Sequence, residues 1–168
     1  MKSAIMHAAI KSLIEEQRVV REGLGLRMRE HRARLSEADQ TFLEKISDVL
    51  HTAGLRPPIV GDLANMLEIE QAALISFLER VANLGHLVRV AKNRFFLPET
   101  MAELVRIATR LGIESVDGTF DAASFRDRSG IGRNLTIEVL EFLDRSGVTR
   151  FAGGKRSLAL PNVLGART

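Results

Sequence analysis

The 168-residue chain contains no cysteine, no tryptophan and no tyrosine. Without cysteine there is no disulfide framework and no thiolate metal site. Without Trp and Tyr, eight Phe are the whole aromatic supply, a thin one for a protein that tracks single-stranded nucleic acid by stacking. No run of about 18 apolar residues occurs, so no membrane helix is expected. The opening MKSAIMHAAIKSLIEE is periodic and soon charged, with no small-residue cleavage site after it, so it is not expected to be a secretory signal. A cytoplasmic location fits these absences.

Catalytic signatures are missing as well. His7, His31, His51 and His86 fall in four different expected elements, and no pair has the spacing of a ligand set. The stretch GIGRNL begins like a dinucleotide fingerprint but lacks the third glycine and a long preceding strand. No phosphate-binding G-x-x-x-x-G-K-[ST] occurs, and the Ser and His residues form no nucleophile pattern. Neither enzyme activity nor a metal or cofactor site is expected in this chain.

What is present is an ordinary globular mixture, 45% hydrophobic and 27% charged. The net charge of +3 is unevenly spread. Residues 1–35 carry eight Lys and Arg against four Glu; residues 36–98 carry six against eight; residues 99–168 carry ten against nine, the basic ones mostly after Phe125. A slightly acidic middle is a poor phosphate binder, so the two ends are the candidates.

A repeat organises the chain. FLERVANLGHLVRVAKNRFFLP, from Phe77, resembles FLDRSGVTRFAGGKRSLALP, from Phe142, at an offset of 65. A weaker third copy begins at Leu13. In the middle copy Ser36, with Asp39 three residues on, is a capping-box pattern opening a helix with Phe42, Leu43, Ile46, Val49 and Leu50 along one stripe. GLRPPIV permits only a loop or short edge strand. GDLANMLEI and EQAALISFLERVANLG are two more helices, the second closed by Gly85, and a hairpin follows around Ala91–Asn93. In the last copy, ETMAELVRIATRLG is a helix burying Met101, Leu104, Val105, Ala108 and Leu111, and GTFD is extended. Asp121 caps a helix through Arg126, SGIG turns, and RNLTIEVLEFLDRSG is a third helix burying Leu135, Val139, Phe142 and Leu143. Gly153 and Gly154 supply the positive φ of the final hairpin turn.

Helix, short strand, helix, turn, helix and hairpin in about 60 residues describe a winged helix. The expected fold is mostly α with small β-hairpins (α+β), in tandem winged-helix modules. Residues 1–35 are the third helix and wing of one module, 36–98 a complete module acting as spacer or scaffold, and 99–168 a complete nucleic-acid-binding module. Because a lone helix and wing cannot bury both their faces, the chain reads as the C-terminal piece of something longer.

The last module offers the best binding surface. Glu138 and Glu141 lie mid-helix, where they would oppose phosphates, so the body of the third helix is a weak groove reader. Its first turn differs. Gly130, Ile131 and Gly132 bring backbone N–H groups to a helix N-terminus. Arg126 and Arg128 precede that turn, Arg133 and Asn134 open the helix, and the wing adds Arg150, Lys155 and Arg156. Competing structural roles exist. Arg145 is four residues from Glu141, a helix ion-pair spacing. Lys155 and Arg156 would also keep a hairpin edge soluble. Arg133 opposes the helix dipole and so calls for a reason to be there. Arg18, Arg21, Arg27, Arg29, Arg32 and Arg34 form a second basic segment, fit either for RNA or another module, or for a solvated hairpin and linker.

The stretches FRDRSGIGRN, LEFLDRSGVTR and GGKRSL resemble the C-terminal winged helix of the bacterial selenocysteine-specific elongation factors, the SelB family. EHRARLSEADQ resembles that family's junction between winged helices. The likeness covers most of the chain and is strongest from Asp121 to Leu160. It implies four tandem winged helices behind a GTPase body, of which this chain carries the end of the second and all of the third and fourth. It also implies that the last module grips an mRNA hairpin, the selenocysteine insertion element. The GTPase body, with its GTP and Mg, would lie outside this chain and deliver selenocysteyl-tRNA to the ribosome at UGA. The expected state is a monomer with no membrane partner. Asn134 stands where the family often has Lys, which removes one charge.

Two other readings stay open on the residues alone. A DNA-binding tandem winged-helix transcriptional regulator would carry a polar or basic stripe along the third helix. A protein-interaction array would expose an apolar patch instead.

Overall fold

A computed structural model of the chain describes residues 19–22, 25–28 and 34–159. Strands β1 (Val19–Glu22) and β2 (Gly25–Met28) pair antiparallel, with Val19 opposite Met28. This is the strand, glycine turn and strand of the first copy. The helix expected ahead of it lies outside the described residues.

Two winged helices follow. The first comprises α1 (Glu37–Ala53), α2 (Val60–Leu67), α3 (Gln71–Asn83) and the hairpin β3 (Val88–Ala91)–β4 (Arg94–Phe96). The second comprises α4 (Pro98–Glu114), β5 (Thr119–Phe120), α5 (Ala122–Ser129), α6 (Arg133–Arg145), β6 (Thr149–Ala152) and β7 (Lys155–Leu158). Its sheet runs β5-β7-β6, all antiparallel. The first module has no strand where the second has β5. Pro57 and Pro58 supply no donors there, and the wing is met by one backbone bond, from Val60 N–H to the Asn93 carbonyl at 2.9 Å.

The helix starts follow their caps. The Ser36 hydroxyl accepts the Asp39 N–H at 3.1 Å. The Asp39 carboxylate meets Arg80 on α3 at 2.7 Å, and that hydrogen-bonded guanidinium holds it below the ordinary carboxylate range. The pair thus ties α1 to α3. Asp121 caps α5 by accepting the Ser124 N–H at 2.8 Å.

Two helices outrun the expectation. Helix α4 continues through Gly112 to Glu114, because Gly112 serves packing rather than termination. A Cβ on it would stand 2.9 Å from Leu158 of the wing. Helix α5 runs to Ser129 and stops at Gly130, whose φ of 70° is left-handed. The repeat register also differs. Gln71 and Arg133 begin equivalent helices and Asn83 and Arg145 end them, each pair 62 residues apart. Gly85 and Gly147, both with positive φ, share that offset. The Phe-Leu-acid-Arg match at 65 sits one turn out of register. A three-residue slip along a helix keeps apolar residues near the same face, so the sequence pattern tolerates it.

The two modules share core. Ile46, Leu50, Leu63, Leu74, Leu78 and Val81 fill the first, with Leu87, Phe95 and Leu97 closing it from the hairpin side. The second is built on Met101, Leu104, Phe125, Leu140 and Leu143, but it also takes Val90 and Phe96 from that same hairpin. Successive strand residues face opposite ways, so adjacent Phe95 and Phe96 enter different cores. Pro98 begins α4 one residue after Leu97, so no linker separates the modules.

Phe96→Ala is expected to cost about 3–5 kcal/mol by urea unfolding, as for a fully buried aromatic. A loss too small to resolve would mean that the hairpin's far face contributes nothing to the second core.

Candidate nucleic-acid interface

The α5–α6 turn is built from three residues with distinct tasks. Gly130 takes the left-handed conformation that ends α5. Ile131, 2% exposed, pins the turn to the core. Gly132 is the N-cap of α6, extended at φ −70° and ψ 162°, and has no side chain to cap the helix. The first N–H groups of α6 therefore have no side-chain acceptor. From the neighbouring module, the Arg56 guanidinium donates to the Gly130 carbonyl.

The equivalent turn of the first module has the same shape and the opposite electrostatics. Glu68 is the left-handed residue, at φ 54°, and Glu70 is the N-cap. Its carboxylate accepts from Ala72 N–H at 2.9 Å and Ala73 N–H at 2.7 Å, and these two bonds lower its pKa. One helix N-terminus is filled by the chain's own anion; the other is open to an external one.

The cations singled out in the sequence divide into three groups. Arg133 and Arg150 are exposed and, among the described residues, neither has a side-chain partner; Asn134 beside Arg133 is likewise free. Arg126, Arg128 and Lys155 are exposed but paired: Arg126 with Asp127 at 2.8 Å, Arg128 with Glu114 at 2.7 Å, and Lys155 with Asp117 at 3.1 Å. Exposed pairs of this kind are screened by solvent and add little to stability. Arg156 stands apart. It is 8% exposed, held by Asp144 through Nε at 3.0 Å and a terminal nitrogen at 2.9 Å, and lies over the Phe151 ring.

Strand register explains why Lys155 and Arg156 part ways. Arg156 lies opposite both Phe120 and Phe151 and faces inward; Lys155 alternates outward, on the same face as Arg150. Expecting both at one basic tip overlooked this period of two. Lys155 is further oriented by Asp117, which also accepts from the Ser115 hydroxyl at 2.7 Å and from the Thr119 hydroxyl and N–H at 2.7 and 3.0 Å.

The body of α6 is already occupied. Glu138 receives Arg94 Nε at 2.7 Å, and the same guanidinium reaches the Pro57 carbonyl at 2.5 Å. Arg145 donates to the Val90 carbonyl at 2.9 Å, so its partner is the neighbouring hairpin rather than Glu141. Glu138, in the middle of the helix, is thus turned to the first module, while Ile137 and Glu141 on the same helix are exposed. Arg56 and Arg94 were not marked by any local signal, since their partners lie 74 and 44 residues along the chain.

The family model for the winged helix of elongation factor SelB matches residues 113–158. The selenocysteine-specific elongation factor of Haemophilus influenzae is 26% identical over 159 residues, 95% of this chain and 25% of that protein. That of Escherichia coli K12 is 32% identical over 133 residues, 79% of this chain and 21% of that protein. Among solved structures, the mRNA-binding domain of E. coli SelB in complex with SECIS RNA matches with a TM-score of 0.66 and 32% identity, covering 75% of this chain and all of that one. The chain belongs to the SelB family. It spans a quarter or less of the SelB factors it matches. The SelB winged-helix model begins near the end of α4 and takes in the whole α5–α6 turn and wing, the part of the fold that carries the free cations.

The hydrogen bonds onto Asp117, the Ser115 hydroxyl first and Lys155 last, hold its carboxyl far below the ordinary carboxylate range. A depressed carboxylate stabilises the fold above its unfolded pKa and loses that contribution as pH falls. The melting temperature should therefore drop more between pH 5 and pH 3 in the parent than in Asp117→Asn, roughly bracketing the unfolded carboxylate pKa. Equal drops would mean that Asp117 does not tie the wing to β5.

Proposed function

We propose that this chain binds an mRNA hairpin, the selenocysteine insertion element, through the first turn of α6 and the outward face of the wing. The observation that carries the reading is the N-terminus of α6, uncapped at Gly132 and opened by Arg133, which, like Arg150 on β6, is exposed and has no side-chain partner among the described residues. The bound RNA named for the E. coli relative supports the same ligand class. Arg126, Arg128 and Lys155 exchange their exposed carboxylate partners for phosphates. Gly132 gives the backbone N–H groups access, and Asn134 offers an amide to a base edge. Arg156 is left out, because its guanidinium is committed to Asp144.

A compact target suits this surface. The deep groove of duplex RNA excludes a helix, whereas a loop or bulge presents splayed bases and phosphates to a helix end and a hairpin. A DNA regulator would need the body of α6 in a major groove, and that body is braced by Arg94 and the Val90 carbonyl. In the whole factor, hairpin binding would tether selenocysteyl-tRNA delivery to UGA codons on the ribosome. GTP and Mg would act in a GTPase body outside this chain, the protein working as a cytoplasmic monomer. Among the described residues, no helix is long and apolar enough to cross a membrane.

The test is titration of the chain with a bulged, short-looped hairpin from a selenoprotein message, beside duplex DNA of equal charge, at two salt concentrations. Hairpin binding that survives higher salt and outcompetes DNA is the expected result; equal, salt-sensitive binding to both would sink the proposal. Arg133→Ala should weaken hairpin binding and lower the salt slope by roughly 0.7–0.9, one phosphate contact. Arg156→Ala should lower the melting temperature and leave the slope unchanged.

A further inference from the structure

Phe151 is 54% exposed, while every other described phenylalanine is buried or half-buried. It lies on β6, directly after unpaired Arg150 and two residues before the Gly153–Gly154 turn. A large apolar ring at a wing tip carries a cost, since it exposes apolar surface on an edge strand. The surroundings hold it in place. Across the register, the Arg156 guanidinium lies 4.6 Å from the ring centroid. That guanidinium is itself fixed, bound to Asp144 of α6 through two nitrogens, and Asp144 in turn accepts the Thr149 hydroxyl at 2.6 Å. The ring is thus backed by a rigid cation and left accessible elsewhere. A buried arginine that supports one exposed aromatic resembles a prepared stacking platform more than a strand filler.

We propose that Phe151 is a base-stacking residue, taking one unpaired base of the bound RNA hairpin against its ring. Arg156 is its positioning residue: it sets the ring without touching the ligand. Arg150, on the opposite face of the same strand, holds the flanking phosphate, so the wing reads one nucleotide as a base on one side and a backbone charge on the other. This deepens the hairpin-binding reading and rests on it. It assigns recognition of an unpaired base to the wing and leaves the α6 N-terminus to phosphate.

The lack of Trp and Tyr provides a clean probe, because Phe151→Trp creates the sole indole of the full chain. Its emission should be quenched on saturation with the bulged hairpin, saturation being followed independently by anisotropy of labelled RNA. Replacing one loop or bulge nucleotide by an abasic site should abolish the quenching. Phe151→Leu should weaken hairpin binding roughly 5- to 100-fold, the range of one base–aromatic stack, with the salt slope unchanged. An unaltered melting temperature would separate this loss from misfolding. Unchanged emission at saturation, or Phe151→Leu binding as tightly as the parent while Arg133→Ala binds weakly, would overturn the stacking role and leave the RNA reading intact. If the parent chain itself does not prefer the hairpin over duplex DNA, both fall together.

Discussion

The β3–β4 hairpin is the constraint on which the rest depends. It is the wing of one module and the floor of the next. Phe95 closes the first core and Phe96 enters the second, and no linker follows before α4 begins at Pro98. Once the hairpin forms, the position of the second module follows. Arg94 then meets Glu138, the Val90 carbonyl meets Arg145, and Arg56 meets the turn carbonyl of Gly130. Three arginine ties are laid over an apolar junction, and the fork of Arg94 bridges the Glu138 carboxylate and the Pro57 carbonyl together.

That junction determines which part of α6 is free. A winged helix has one helix suited to entering a groove, and here Glu138 and Arg145 of that helix are held by the first module. Outward remain the uncapped N-terminal turn, Ile137 and Glu141 of the helix body, and Arg150, Phe151 and Lys155 of the wing. The free surface is therefore short, and its charges are discrete: Arg133 and Arg150 unpaired, three further cations lightly held by exposed acids. A small, irregular nucleic-acid target matches such a surface better than an extended one.

Much of the fold was legible in the residues, because the apolar stripes, the Ser36 and Asp121 caps and the Gly153–Gly154 turn are all local signals. The α5–α6 turn and Arg133 were found the same way. What escaped was of two kinds. Some was non-local: Glu138 looked like an obstacle to binding until Arg94, 44 residues away, came to face it. Some was local but misweighted. Arg156 was grouped with Lys155 by charge, although strand alternation separates neighbours. Phe151 carries no local signal, since nothing in the sequence distinguishes an exposed strand aromatic from a buried one. The repeat offset of 65 instead of 62 has a similar origin, a helix face that forgives a slip of one turn.

The Glu70 carboxylate in the middle module acts as a tethered ligand. Attached to the very helix whose N–H groups it occupies, it competes with any dissolved phosphate at the effective concentration of an intramolecular partner, in the millimolar range or higher. Two copies of one fold thus differ in the charge at the start of their third helix. The turn with Glu70 carries its own anion, whereas the turn with Gly132 has no side chain to supply one.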